Sequence, residues 1–133
     1  MRKESVDIDA NYIVRVIVRD IPGQVETVER LFEEARSGKV DVSIATVALF
    51  EAYHTLTSSY SRDEGEARDS IADIVDSVPV AVENADVFWE AVSLSRASGN
   101  KDLCDCYVAA YAKMRGNNLL TFDKALTKMF GRM

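Results

Sequence analysis

The chain has 133 residues, of which 47% are hydrophobic and 29% are charged, and its formal net charge is −6. This size and balance predict a single globular domain, residues 1–133, and exclude a disordered or collagen-like chain. The excess of 22 acidic over 16 basic residues argues against a general duplex-DNA binder, whose surface must be basic.

A few further features of the sequence predict where the protein is located and whether it has a membrane-spanning segment. No apolar stretch approaches the ~20 residues that a membrane-spanning helix needs, and the first residues lack the apolar core of a signal peptide. Cys104 and Cys106 lie two apart in a predicted helix and so point in different directions. With one histidine, His54, they do not complete an ordinary zinc site. We expect a reduced, cytoplasmic protein with no membrane segment.

The first half of the chain alternates strand-like and helical patterns. Residues 5–9 alternate apolar and polar side chains, whereas residues 24–36 place apolar side chains at helical spacing. Pro22 and Gly23 separate that helix from the one before it. The predicted elements are a strand at 5–9, a helix at 11–18, a helix at 24–36, a strand at 40–44 and a helix at 45–59.

The second half continues the alternation. The predicted elements are a charged turn at 62–66, a helix to about residue 76, a strand at 78–82, a helix at 84–95, a helix at 102–115, a strand at 119–122 and a short final helix from Asp123. Pro79 favours an edge position for the third strand, and Asn84 and Asp102 are suitable helix N-caps. The pattern predicts a three-layer α/β/α sandwich with a mainly parallel sheet of four to five strands.

Four acidic residues differ from the others because apolar residues flank them. Glu51 is the strongest: in residues 45–53 the only polar side chains are Thr46 and Glu51 itself. A buried carboxylate there would need a cation, a proton or a basic partner, because leaving it unpaired costs several kcal/mol. The alternative is that Glu51 reaches solvent or pairs with an arginine.

The other three lie at predicted element ends. Asp9 closes the first strand, Asp105 precedes an apolar helical stretch, and Asp123 joins the last strand to the last helix. The carboxyl ends of parallel strands face the ligand crevice in such folds. Each of the three also has a simpler interpretation as a capping residue, with Asp102 and Asp105 forming a capping pair.

Taken together, the four acids predict a metal centre. Several carboxylates brought close together repel one another unless a divalent cation neutralises them, and oxygen ligands favour Mg²⁺ or Mn²⁺ over zinc. Such an ion can activate water for attack on a phosphodiester. His54, the only imidazole, is expected to be structural.

The sequence resembles the PIN domain family, and especially the VapC-type toxins of toxin–antitoxin pairs. The matching stretches are DIDANYIVRVIVRD at 7–20, ATVALFEAYHTL at 45–56, DLCDCYVAAYAKMRG at 102–116 and LLTFDKAL at 119–126. They occur in the family's order, and the four acids follow one another at intervals of 42, 54 and 18 residues.

The resemblance implies a Mg²⁺- or Mn²⁺-dependent endoribonuclease whose acidic site is Asp9, Glu51, Asp105 and Asp123. It implies supporting roles for Asn11 and for the hydroxyl of Thr121. It also implies a homodimer, an RNA substrate, and inhibition by a cognate antitoxin protein that covers the acidic cleft.

Two other functions remain open at the level of the sequence. One is a non-catalytic PIN-like interaction module, which need not bind a metal ion. The other is phosphotransfer through an aspartyl phosphate, suggested by Asp7 and Asp9 at a strand end. Phosphotransfer of this kind needs a lysine near the phosphoryl group, and it would leave Glu51 without a role.

Overall fold

A computed structural model describes residues 3–99, 102–131 and 133 of the chain. These residues form two compact units, Met1–Glu83 and Asn84–Met133. The single domain expected from the sequence stays a prediction.

The first unit is an α/β structure built on a parallel sheet. Its elements are β1 (Glu4–Ile8), α1 (Ala10–Val18), α2 (Pro22–Arg36), β2 (Val40–Ile44), α3 (Thr46–Ser58), α4 (Glu64–Ser77) and β3 (Val80–Val82). Most of these bounds lie within two residues of those predicted. Helix α2 differs because Pro22, expected to precede it, is its first residue, where a missing N–H costs no hydrogen bond.

The sheet of the described residues has three strands in the order β1-β2-β3, all parallel. Ile8 pairs with Ile44, and Ile44 pairs with Val82, so the three strands end at one edge. The central strand β2 buries alternate residues Val40, Val42 and Ile44, because successive side chains point to opposite faces. The expected four to five strands are therefore wrong for the part of the chain that is described.

Helices α1, α3 and α4 pack against one another, and α2 packs on β2 and α1. Their buried faces supply the apolar core of the first unit. The fully buried side chains include Ile13 and Val14 from α1, Leu49 and Leu56 from α3, and Ile71 from α4. Helix α1 begins two residues after β1 ends, and α3 begins two residues after β2 ends, so the amino ends of both helices lie at the same edge of the sheet.

The amino end of α3 is capped from a distant part of the chain. Its N-cap residue, Ala45, has no side chain that can accept a hydrogen bond. Instead, the backbone N–H of Thr46 donates to Glu83 Oε1 at 3.3 Å, and Thr46 Oγ1 donates to the Glu83 carbonyl at 2.7 Å. Glu83 follows β3, so these bonds join the ends of β2 and β3.

The second unit is helical in the described residues. Its elements are α5 (Ala85–Ser98), α6 (Leu103–Met114) and α7 (Lys124–Gly131). Helix α6 packs on both α5 and α7. Ala109, Ala110 and Leu103 on α6 are fully buried, as is Phe88 on α5. Asn84 stands at the N-cap of α5 in a left-handed conformation, and its side chain makes no capping bond.

Residues 119–122 do not form the strand that the sequence predicted. Leu120 is 92% exposed and Phe122 is fully exposed, so neither side chain packs into a core as it would in a half-buried strand. The hydroxyl of Thr121 accepts the backbone N–H of Asp123 at 3.0 Å, and such a local bond competes with strand pairing. The segment is an irregular connection that leads into α7.

None of the helices in the described part of the chain has the length and apolar character that crossing a membrane requires.

Candidate functional site

Asp9 lies at the carboxyl end of β1 and is the N-cap of α1. Its Oδ1 accepts the backbone N–H groups of Asn11 at 2.9 Å and Tyr12 at 3.4 Å, which satisfies two of the amide groups that a helix start leaves unpaired. Both bonds use the same oxygen. Oδ2 has no hydrogen bond among the described residues, and the side chain is exposed, so Asp9 can cap the helix and still offer an oxygen to a ligand.

Asp9 lines a cavity of ≈ 430 Å³ between α1 and α2. Asn11, Tyr12 and Arg15 line it from α1, and Gln24 and Thr27 line it from α2. The lining thus combines a carboxylate, amides and a guanidinium. Asn11, predicted to be a supporting residue of the acidic site, lines this cavity together with Asp9.

Arg15 is held by two partners from other parts of the first unit. Its Nη1 donates to Asp20 Oδ1 and, at 3.3 Å, to the hydroxyl of Tyr60, which in turn donates to Asp20 Oδ2 at 2.9 Å. These hydrogen bonds raise the pKa of Arg15, and the one that Arg15 donates to Tyr60 has the largest effect. The bond from Arg15 lowers the pKa of Asp20. The three side chains fix the turn between α1 and α2 that borders the cavity.

Glu51 lies in the middle of α3 and is exposed, whereas its neighbours Leu49, Ala52 and Tyr53 are buried. Among the described residues it has no hydrogen-bond or ion-pair partner. The expectation that Glu51 needs a cation because it is buried does not apply, since the helix turns the carboxylate outward. An exposed carboxylate with no partner is free to accept a cation.

Asp105 lies in the first turn of α6 and is half-buried. Its backbone N–H donates to Asp102 Oδ1 at 3.1 Å, so the capping role belongs to Asp102. Asp105 and Lys128 both line a cavity of ≈ 680 Å³ in the second unit, together with residues from the end of α5. A carboxylate and an ammonium group thus share this cavity.

Asp123 caps α7 in the same way that Asp9 caps α1. Its Oδ1 accepts the backbone N–H of Leu126 at 2.9 Å, and the side chain is exposed. Its own N–H donates to Thr121 Oγ1. The hydroxyl of Thr121 therefore orients the residue that carries the carboxylate.

Neither cysteine has the environment of a reactive thiol, and the histidine makes an aromatic contact. Burial, together with the nearby charges of Asp102 and Asp105, raises the pKa of Cys104 to about 12, so its thiol stays protonated at neutral pH. Cys106 is buried, with its Sγ 3.7 Å from Met129 Sδ. His54 is exposed on α3, with its ring edge-on to Tyr53.

The structure places Asp9 and Glu51 in the first unit and Asp105 and Asp123 in the second. Within either unit taken alone, the described residues hold no group of three Asp, Glu, His or Cys side chains that could bind a metal ion. Three of the four acids lie at helix amino ends, as the capping interpretation also predicted. Two of those three, Asp9 and Asp123, are themselves N-caps.

Sequence reasoning missed Arg15, Glu83 and Lys128. Arg15 is the one charged residue in α1, ANYIVRVIV, so the test applied to the acids, a charge among apolar residues, would have found it. Glu83 and Lys128 each have one polar neighbour, Asn84 and Thr127, so the same test would have passed over them. Their positions depend on contacts with distant parts of the chain.

Comparison with known proteins gives one match. A family model described as PIN domain matches residues 7–130. No curated protein and no solved structure matches the chain.

Proposed function

This chain belongs to the PIN domain family, and on that premise we propose that it is a divalent-metal-dependent endoribonuclease. The PIN domain is generally a nuclease fold. The observation that carries the proposal is the extent of the match: residues 7–130 include Asp9, Glu51, Asp105 and Asp123. We propose these four acids as the catalytic and metal-binding residues.

The donor chemistry of these residues fits Mg²⁺ or Mn²⁺. Asp9 keeps Oδ2 free while Oδ1 caps α1, and Glu51 is exposed without a partner in the described part of the chain. Carboxylate oxygens are the ligands that these hard cations prefer. When bound, such an ion supplies charge neutralisation for the phosphodiester and activation of the attacking water.

The residues of the chain contribute position and charge. The backbone N–H groups of Asn11 and Tyr12 hold the carboxylate of Asp9 in one orientation, and such fixed charges need no reorganisation during a reaction. Thr121 holds the backbone of Asp123. Arg15 places a cation on the wall of the Asp9 cavity, where a phosphate group would be attracted to it.

We further propose that the protein is the toxin of a type II toxin–antitoxin pair, acts in the cytoplasm and forms a homodimer. The support is the resemblance of the four motif stretches to VapC-type toxins. The partner would be a separate antitoxin chain that covers the acidic cleft. Light scattering on the purified protein should report about twice 14.8 kDa, and a strict monomer at micromolar concentration contradicts the dimer but not the nuclease.

The test of the nuclease is cleavage of single-stranded RNA with Mg²⁺ or Mn²⁺. Asp9→Asn and Asp105→Asn each remove one ligand charge and keep the shape of the side chain, so each should lower the cleavage rate by about two orders of magnitude or more. The amide oxygen of Asn can still cap α1, so Asp9→Asn should fold. EDTA should abolish cleavage by the wild type, and Mn²⁺ should restore it.

Asp63→Asn is the matched control. Asp63 caps α4 by accepting the backbone N–H groups of Gly65 and Glu66, which Asn can also do, so the variant should cleave RNA at the wild-type rate. Cleavage that persists in EDTA, or an equal loss in Asp63→Asn and Asp105→Asn, contradicts the proposal. A folded protein that binds no Mn²⁺ and cuts no RNA is instead the interaction module.

A further inference from the structure

The charge of the chain is unevenly distributed. Residues 106–133 contain five basic residues and one acidic residue, whereas residues 1–105 contain 11 basic and 21 acidic residues. The net charges are therefore +4 and −10. Because RNA is a polyanion, its phosphates are attracted to the first of these segments and repelled by the second.

Within this basic segment, the outer face of α6 exposes large apolar side chains. Val108 is 46% exposed, Tyr111 is 43% exposed and Met114 is 47% exposed. They follow one another at intervals of three residues, so they lie on one side of the helix. This face has no counterpart among the other described helices, whose exposed large apolar residues occur singly.

An aromatic pair and an arginine lie on the same face. The rings of Tyr107 and Tyr111 are nearly parallel, at an angle of 13° and with centroids 6.4 Å apart. The guanidinium of Arg115 lies over the Tyr111 ring, 5.1 Å from its centroid. We name Tyr107, Tyr111 and Arg115 the α6 aromatic face. Exposed aromatic rings and guanidinium planes are the groups on which unpaired bases stack.

We propose that the α6 aromatic face binds single-stranded RNA: the exposed guanidinium of Arg115 leaves the Tyr111 ring to pair with a backbone phosphate, and a base stacks on the ring in its place. The inference rests on the proposed ribonuclease function and assigns it a substrate-binding surface. A second copy of the chain is the less favourable occupant. A two-fold contact brings a patch onto itself, and here it would bring one positively charged face onto another.

The test is RNA binding without cleavage. Fluorescence anisotropy of a labelled single-stranded oligoribonucleotide of mixed sequence is measured in EDTA, so that no metal-dependent cutting occurs. Tyr111→Ala should weaken binding about tenfold, within the range for loss of one stacked base, and Tyr111→Phe should bind as the wild type does. Arg115→Ala should lower the slope of log K against log salt by about 0.7, the value for one phosphate contact to a single strand.

Two control variants separate stacking from general effects. Met114→Ala removes an equally exposed apolar side chain from the same face without removing a ring, and should leave RNA binding unchanged. Arg30→Ala removes a cation whose side chain is 66% exposed on α2, outside the basic segment, and should leave the salt slope unchanged. Circular dichroism verifies that each variant is folded.

The outcomes distinguish this inference from the function on which it rests. If the wild type cleaves RNA but Tyr111→Ala and Arg115→Ala bind it normally, the α6 aromatic face is not the RNA surface and the nuclease proposal stands. If the wild type neither binds nor cleaves single-stranded RNA, both proposals fail. If Tyr111→Ala lowers the mass measured by light scattering while RNA binding is unchanged, the face joins two copies of the chain and the inference is overturned.

Discussion

Replacement of Thr46 by valine tests how the ends of β2 and β3 are held together. Thr46 is 7% exposed, and its hydroxyl donates to the Glu83 carbonyl at 2.7 Å, across 37 residues of sequence. Valine has nearly the same shape but cannot donate. The substitution therefore removes one long-range hydrogen bond and leaves the size of the side chain almost unchanged.

The expected loss follows from the burial of this bond. A neutral hydrogen bond contributes about 1 kcal/mol, and a buried acceptor left without a partner costs about 1–3 kcal/mol. The added methyl group of valine offsets part of this through apolar burial, by roughly 0.8 kcal/mol. We expect Thr46→Val to lower the free energy of unfolding by about 1–2 kcal/mol, which in a chain of this size lowers Tm by roughly 4–8 °C.

The assay is urea unfolding followed by circular dichroism, with Thr27→Val as the matched control. Thr27 also donates its hydroxyl to a backbone carbonyl, that of Gly23, at 3.1 Å, but it is exposed, so water can replace the bond. The control should change stability by less than about 0.5 kcal/mol. Equal losses in the two variants, or a Thr46→Val protein as stable as the wild type, would refute the argument from burial.

Three further predictions concern charge, metal and core. The hydrogen bond from Arg15 lowers the pKa of Asp20, so Asp20 stabilises the fold above about pH 4, and this contribution is lost as the pH falls through the lowered pKa. When the free energy of unfolding is measured at decreasing pH over that range, Asp20→Asn should lose less stability than the wild type. Millimolar Mn²⁺ should raise the Tm of the wild type by preferential binding to the folded state, and Glu51→Gln should reduce that increase. A wild-type Tm that does not change on addition of Mn²⁺ contradicts the metal site. Phe88→Ala, at a fully buried position, should lower the free energy of unfolding by about 3–5 kcal/mol in urea titrations, and a loss below 1 kcal/mol would show that α5 is not part of a packed core.

Features that depend on near neighbours in the chain could be predicted from the sequence. The local pattern of apolar runs, polar residues and capping residues predicted each helix of the described residues and strands β1, β2 and β3, because a helix or strand is specified by side chains a few positions apart. The capping roles of Asp9, Asp102 and Asp123 were also predictable. In each, a carboxylate accepts an N–H two or three residues along the chain, which needs no distant partner.

Exposure of a single side chain was less predictable. Glu51 lies among apolar residues in the sequence, which suggested burial. In α3 those neighbours occupy the inner faces and Glu51 points outward, since a helix turns 100° per residue and separates adjacent side chains. Local composition alone therefore overstated the burial of the carboxylate.

The remaining features were decided by tertiary structure because their partners are far apart in sequence. The strand order β1-β2-β3, the bonds from Thr46 to Glu83 and the contact of Arg15 with Tyr60 each join residues that no local pattern relates. In residues 119–122 the local pattern was present, but the structure did not follow it. Their sequence has a strand pattern, but a strand forms only where a neighbouring strand offers its N–H and C=O groups. In the structure the backbone N–H that follows them, that of Asp123, donates to the hydroxyl of Thr121 instead.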